Sequence, residues 1–161
     1  MEKILLLVGT NFGDLETNLM IALEELVNNG IEIVKKSRIY RTKPWGRANQ
    51  PDFLNMGLEV VCDHEPLELM RVLKQIEVKM GRKPGGIRWG PRIIDIDIVF
   101  YGTQIFKTRN LTIPHASFFE RPFAIKVLAE IAPDFVPPCS DKKLKDYLSG
   151  VEHEGSEIYY G

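Results

Sequence analysis

What most constrains this chain is the order in which its hydrophobic spacing changes period. Lys3-Ile4-Leu5-Leu6-Leu7-Val8 is a short apolar run closed by Gly9, and Leu15, Leu19, Ala22, Leu23, Leu26 and Val27 then recur at helical spacing. Asn28-Asn29-Gly30 stops that helix. Ile31 to Val34 and Ser37 to Tyr40 are rich in β-branched and aromatic residues and predict one long strand; Phe53 to Cys62 predicts a second, across a loop from Thr42 to Pro51. Pro66 opens another helix, with Leu67, Met70, Leu73, Ile76, Glu77 and Met80 on one stripe, and Gly81 ends it. Ile93 to Tyr101 is the most strand-like run, turned by Gly102-Thr103. The order is β-α-β-β-α-β, the ferredoxin-like arrangement of an α+β fold. A C-terminal helical and irregular extension follows, its helix predicted from Ser117 to Ile131.

With 161 residues the chain is expected to form one domain over residues 1–161. A net charge of −1 removes the global electrostatic argument for a nucleic-acid partner, so any phosphate binding must be local. No apolar run approaches the roughly 20 residues of a membrane span, and the N-terminal run is too short for a signal-peptide core and lacks a cleavage site. The expectation is a soluble cytoplasmic protein, a monomer, whose partners are small molecules. Cys62 and Cys139 have no metal or redox spacing and read as reduced packing residues.

Strict alternation over Ile93 to Tyr101 puts Ile94, Ile96, Ile98 and Phe100 on one face and Ile93, Asp95, Asp97, Val99 and Tyr101 on the other. Two carboxylates thus interrupt an apolar face. Side chains two residues apart on a strand lie about 6.5 Å apart, near enough to share two divalent cations about 4 Å apart. Hard oxygen ligands suit Mg²⁺. The same pattern also fits a half-exposed strand whose acids face water. The preceding segment, Arg82-Lys83-Pro84-Gly85-Gly86-Ile87-Arg88-Trp89-Gly90-Pro91-Arg92, is glycine-rich and basic. Acids for a metal beside arginines for oxygens are the two halves of a polyphosphate site. Trp89 can stack on a base or pack against the body of the domain. Gly9-Thr10-Asn11-Phe12-Gly13-Asp14 lacks the P-loop lysine; Asp14 reads as a helix N-cap, with Gly9 and Gly13 serving the turn. Of the histidines, His64 and His153 lie in polar stretches, which leaves His115, just before the last helix, as the candidate.

Arg88-Trp89-Gly90-Pro91-Arg92-Ile93-Ile94-Asp95-Ile96-Asp97-Ile98-Val99 resembles the signature of the 6-hydroxymethyl-7,8-dihydropterin pyrophosphokinase family. Tyr40-Arg41-Thr42, Gln50 to Asn55, Glu77 with Gly81-Arg82, Leu111 to His115 and Arg121-Pro122-Phe123 support it, and the resemblance spans residues 3 to 138. It implies transfer of pyrophosphate from ATP to the pterin hydroxymethyl group in tetrahydrofolate biosynthesis. By resemblance, Asp95 and Asp97 ligate two Mg²⁺ ions, with Asp95 also at the pterin. Arg82, Arg92, His115 and Arg121 would hold the phosphates, Arg82 and Arg92 stabilising the transferred charge. Arg88, Trp89, Ile98, Leu111 and Thr112 would lie near the nucleotide, with Glu77 flanking it. Asn55 would read the pterin's amide edge, Thr42 and the backbone near Trp45 its companions, and Phe53 and Phe123 would stack on the ring. The Thr42 to Pro51 and Gly81 to Arg92 loops would close over the substrates. The sequence departs from the family pattern at Phe53, Lys74, Ala116 and Pro84-Gly85-Gly86. The competing readings are a Mg²⁺-dependent transferase for another alcohol and an RNA-recognition module, the latter disfavoured by an acidic sheet face.

Overall fold

The computed structural model describes residues 2–44, 49–81, 92–138, 140–151 and 156–160. Strand β1 (Ile4–Thr10) is central, and all seven of its residues are buried, which is why it reads as an unbroken apolar run. It pairs antiparallel with β4 (Phe53–Val61) on one side and β5 (Asp95–Tyr101) on the other. β2 (Glu32–Lys36) and β3 (Ile39–Thr42) both pair with β4, giving the order β5-β1-β4-β3 expected of the ferredoxin-like core. The predicted long strand of residues 31–40 is therefore two. They part at Ser37, whose Oγ accepts from the Gly57 amide at 2.8 Å while its own amide donates to the Gly57 carbonyl at 2.9 Å, so a hydroxyl replaces one ladder bond.

Helices α1 (Leu15–Asn28) and α2 (Pro66–Lys79) cover one face of the sheet over Leu6, Val8, Leu58 and Ile96. Asp14 caps α1 by accepting from the Thr17 amide at 3.2 Å, as predicted. On α2 the buried residues include Leu69, Leu73, Ile76 and Glu77; Leu67 and Met70 flank that stripe rather than form it. No helix among the described residues is long and apolar enough to cross a membrane.

The opposite face carries α3 (Pro122–Ile131), packed with Leu5, Leu7, Tyr40 and Phe100. The predicted helix of residues 117–131 begins only at Pro122: Phe118–Glu120 is a separate 3-10 turn, and Arg121 between them is extended. Proline supplies no amide to continue the earlier turn but suits the first position of a new helix. Gly57 lets α3 come down on β4, because a Cβ there would lie 2.8 Å from Leu128 Cδ2 and 3.0 Å from Val127 Cγ1. Gly57→Ala is expected to destabilise the fold by about 1–3 kcal/mol, since the helix must lift to admit the methyl; thermal unfolding of the variant measures this.

The alternation predicted for residues 93–101 holds only to Ile98. Leu5 opposes Phe100 and Leu6 opposes Ile98, which leaves Val99 as an extra residue in a bulge. Beyond it the faces exchange, so Val99 and Phe100 both join the α3 core while Tyr101 turns to the α1/α2 core. Before the bulge Ile94, Ile96 and Ile98 face α1 and α2, so Asp95 and Asp97 share the α3 side.

After β5 come a short hairpin, β6 (Phe106–Lys107) with β7 (Thr112–Ile113), and far downstream β8 (Glu157–Tyr160). The tail predicted to be irregular thus ends in a strand that covers the edge of β3. Tyr159 fixes it, its hydroxyl donating to Glu16 Oε1 at 2.8 Å and its ring lying 5.0 Å from the Arg41 guanidinium. Cys62 is half-buried with a free thiol, and Cys139 lies outside the described residues.

Candidate active site

Strand register brings the site together. Gly9 lies opposite Asp95 on one side and Asn55 on the other, and Asn55 lies opposite Tyr40. With strands about 4.8 Å apart, Asp95 and Asn55 face each other across Gly9 at about 10 Å. Gly9 is part of β1 rather than of the turn, and the reason for glycine is a neighbour: a Cβ would lie 2.6 Å from Asn55 Oδ1 and 3.6 Å from Phe53 Cδ1. Asn55 is buried, and its Nδ2 donates to Thr42 Oγ1 at 2.6 Å, which sets the orientation of the carboxamide. Phe53, half-buried, stands two residues from Asn55 on the same face.

Arg121 and His115 approach the acid pair from the chain that follows β7. Arg121 Nη1 and His115 Nε2 each lie 3.8 Å from Asp97 Oδ2. His115 is hooked to β5 by its amide, which donates to the Val99 carbonyl at 3.0 Å, and its Nδ1 accepts from the Ser117 amide at 3.2 Å. That acceptor role assigns a neutral ring with its proton on Nε2, facing Asp97. Burial first, and the Arg121 charge second, hold its pKa below the usual imidazole value, against an opposing pull from Asp95. Phe123, half-buried, is two residues past Arg121 and one helical turn before Val127, which sits on Gly57, and it packs against the α3-side core.

On the outer side of β5 a cavity of about 260 Å³ is lined by Glu77, Asp95, Asp97, Ile98, Leu111, Thr112 and His115, together with Lys74, Ala116 and the apolar Met70 and Leu73. Of the residues that resemble a nucleotide set, Glu77, Ile98, Leu111 and Thr112 thus line one space. Glu77 is 4% exposed and serves the fold, since its Oε2 accepts from the Ile96 amide at 2.8 Å and so satisfies the edge-strand donor between the two aspartates. Among the described residues no group of three or more His, Cys, Asp and Glu is placed to hold a metal. Trp45, Arg82, Arg88, Trp89 and Pro84-Gly85-Gly86 lie outside the described residues. Arg92 stands where the chain reaches β5, its amide donating to Asn11 Oδ1 at 2.7 Å.

Sequence reasoning assigned Gly9 to a turn and gave Asn11 no role. A glycine closing an apolar strand run is a usable sign of close approach. Nothing in the sequence marks Asn11.

A sheet that sets an acid pair at its edge, between a cavity and two basic side chains, defines an α+β phosphotransferase rather than a module presenting aromatics to RNA. A family model described as 7,8-dihydro-6-hydroxymethylpterin-pyrophosphokinase matches residues 5–133, and the chain belongs to that family. It is 37% identical to the 2-amino-4-hydroxy-6-hydroxymethyldihydropteridine pyrophosphokinase of Aquifex aeolicus, over 91% of each chain. To the protein of the same name from Synechocystis it is 40% identical, over 90% of this chain and 74% of that one. The folate synthesis bifunctional protein of Arabidopsis thaliana is 38% identical over 81% of this chain, which spans only 27% of that protein's length. The fold is similar to a solved HPPK-DHPS in complex with substrates, with a TM-score of 0.72 at 14% identity, over 93% of this chain and 45% of that one.

Proposed function

We propose that this chain, as a single catalytic domain over residues 1–161, transfers the terminal pyrophosphoryl group of ATP to the hydroxymethyl oxygen of 6-hydroxymethyl-7,8-dihydropterin, giving AMP and the pterin diphosphate. The observation that carries the reading is the row Asp95–Gly9–Asn55, in which a glycine makes room for the Asn55 carboxamide on one side and an acid stands on the other. Asn55, already oriented by Thr42, can accept and donate side by side to the amide edge of a flat heterocycle. Phe53 and Phe123 supply the faces on which the ring stacks. ATP would take the cavity beyond β5, with Leu111, Thr112 and Ile98 at the nucleotide and Arg121, His115, Arg82 and Arg92 at the phosphates. Arg88 and Trp89 belong to the same proposal.

Two carboxylates with no third protein ligand among the described residues suit Mg²⁺ that arrives with a polyphosphate, since this ion keeps waters and phosphate oxygens in its shell. Asp95 and Asp97 would hold two such ions, whose charge would offset the phosphate charge that opposes the incoming oxygen. The pterin hydroxyl oxygen attacks the β-phosphorus and gives up its proton to water, while the bond from that phosphorus to the α,β-bridging oxygen breaks and leaves that oxygen on AMP. His115 enters as a hydrogen-bond donor through Nε2 rather than as a base, because its Nδ1 is taken by Ser117. A monomer in the cytoplasm is the proposed form and location. Incubation with ATP, Mg²⁺ and the hydroxymethyl pterin is expected to yield AMP and pterin diphosphate in equal amounts. ADP in place of AMP would overturn the pyrophosphoryl step.

A further inference from the structure

We infer that Asn11 is a positioning residue that locks the pterin side and the phosphate side of the site to each other. The strand ladders around β1 end at Thr10 opposite Leu54 and at Gly9 opposite Asp95. Past that point, among the described residues, no strand joins the segments leading into β4 and β5, and the Asn11 side chain takes over. Its Nδ2 donates to Pro51 O at 3.0 Å and to Gln50 Oε1 at 2.9 Å, two and three residues before Phe53. Its Oδ1 accepts from the Arg92 amide at 2.7 Å, three residues before Asp95, and its backbone amide donates to Arg92 O at 2.9 Å. Thr10 reinforces the β5 side, its hydroxyl donating to Ile93 O at 2.5 Å.

Asn11 is 2% exposed, and both hydrogens of its amide nitrogen are used. Only a carboxamide of this length can accept toward one segment and donate twice toward the other: aspartate accepts but cannot donate, serine cannot span the gap, and leucine does neither. One segment leads to Phe53 and Asn55, the other to Asp95 and Asp97. This bridge therefore controls how the two substrates stand relative to each other, rather than the affinity of either alone. Misplacement by about 1 Å can cost on the order of 100-fold in rate.

The inference rests on the substrate assignment above, and the experiment separates the two. Wild type, Asn11→Asp, Asn11→Ala and Gln50→Ala are assayed for AMP formation. Binary dissociation constants for the pterin and for a non-hydrolysable ATP analogue with Mg²⁺ are measured by calorimetry, and thermal melts confirm folding at the assay temperature. Asn11→Asp keeps the bond to Arg92 but sets oxygen against oxygen at Pro51; it is expected to lower kcat about tenfold with each binary affinity within about twofold of wild type. Asn11→Ala is expected to lower kcat about 10–100-fold while each binary affinity changes less than about fivefold. Gln50→Ala, which removes a single bond, should show the smaller form of the Asn11→Asp effect, and it serves if Asn11→Ala does not stay folded. A kcat within about twofold of wild type in the folded Asn11 variants, or an equal fall of kcat and both affinities, would overturn the inference. Absence of AMP from the wild-type chain would remove the substrate assignment and this inference together.

Discussion

Replacing Asp97 by alanine is expected to lower AMP formation by at least about 10³-fold, or about 4 kcal/mol of transition-state stabilisation, while the protein stays folded. Asp97 is the acid on which Arg121 and His115 converge, each at 3.8 Å. Its removal deletes a proposed metal ligand and takes that carboxylate away from the Arg121 charge. Its side chain is 26% exposed and lies outside both hydrophobic cores, so the fold has little to lose. Asp95→Ala should behave alike, because Asp95 stands one pleat away on the same face, borders the cavity and lies opposite Gly9. Turnover of the purified, folded variants, scored as AMP by chromatography, decides the matter. Ordinary turnover in either would sink the acid-pair mechanism.

The second large effect is expected from one methyl group. Gly9→Ala places a Cβ 2.6 Å from Asn55 Oδ1, so the carboxamide must swing away from Thr42 or the strands must part. Gly9 is not among the described glycines with positive φ, so alanine adds no backbone strain and the damage is steric and local. The pterin KM should rise about 10–100-fold, the cost of losing an oriented hydrogen-bond pair. Affinity for ATP and Mg²⁺, measured without pterin, should stay within about twofold, since the cavity beyond β5 lies on the other side of the acid pair. Unchanged pterin affinity in this variant would show that the Asn55 carboxamide does not read the ring.

Much of this arrangement is legible in the chain because it depends on short-range physics. The order of periods sets the β-α-β-β-α-β path, Asp14 announces the start of α1, and Asp95 and Asp97 share a face because residues two apart on a strand must. The errors have a common origin. The bulge at Val99, the break at Ser37 and the division before Pro122 each depend on what another segment presents: an out-of-step β1, a Gly57 backbone, a turn that cannot run on through proline. Leu69 rather than Leu67 faces inward because the sheet, not the helix alone, chooses the buried side.

Taken by itself, then, the sequence determined the element order, the α+β class, the acid pair and the basic segment before it, all of which follow from spacing and side-chain chemistry within a few residues. Only the tertiary structure decided that Gly9 makes room for the Asn55 carboxamide, that Glu77 serves the Ile96 amide, that Arg121 and His115 meet at Asp97, and that Asn11 bridges the approaches to β4 and β5. The Glu77 bond joins residues 19 positions apart and the Asn11 bond to Arg92 joins residues 81 apart. Spacing along the chain carries no record of such pairs, because strand register and packing alone bring them within hydrogen-bond reach.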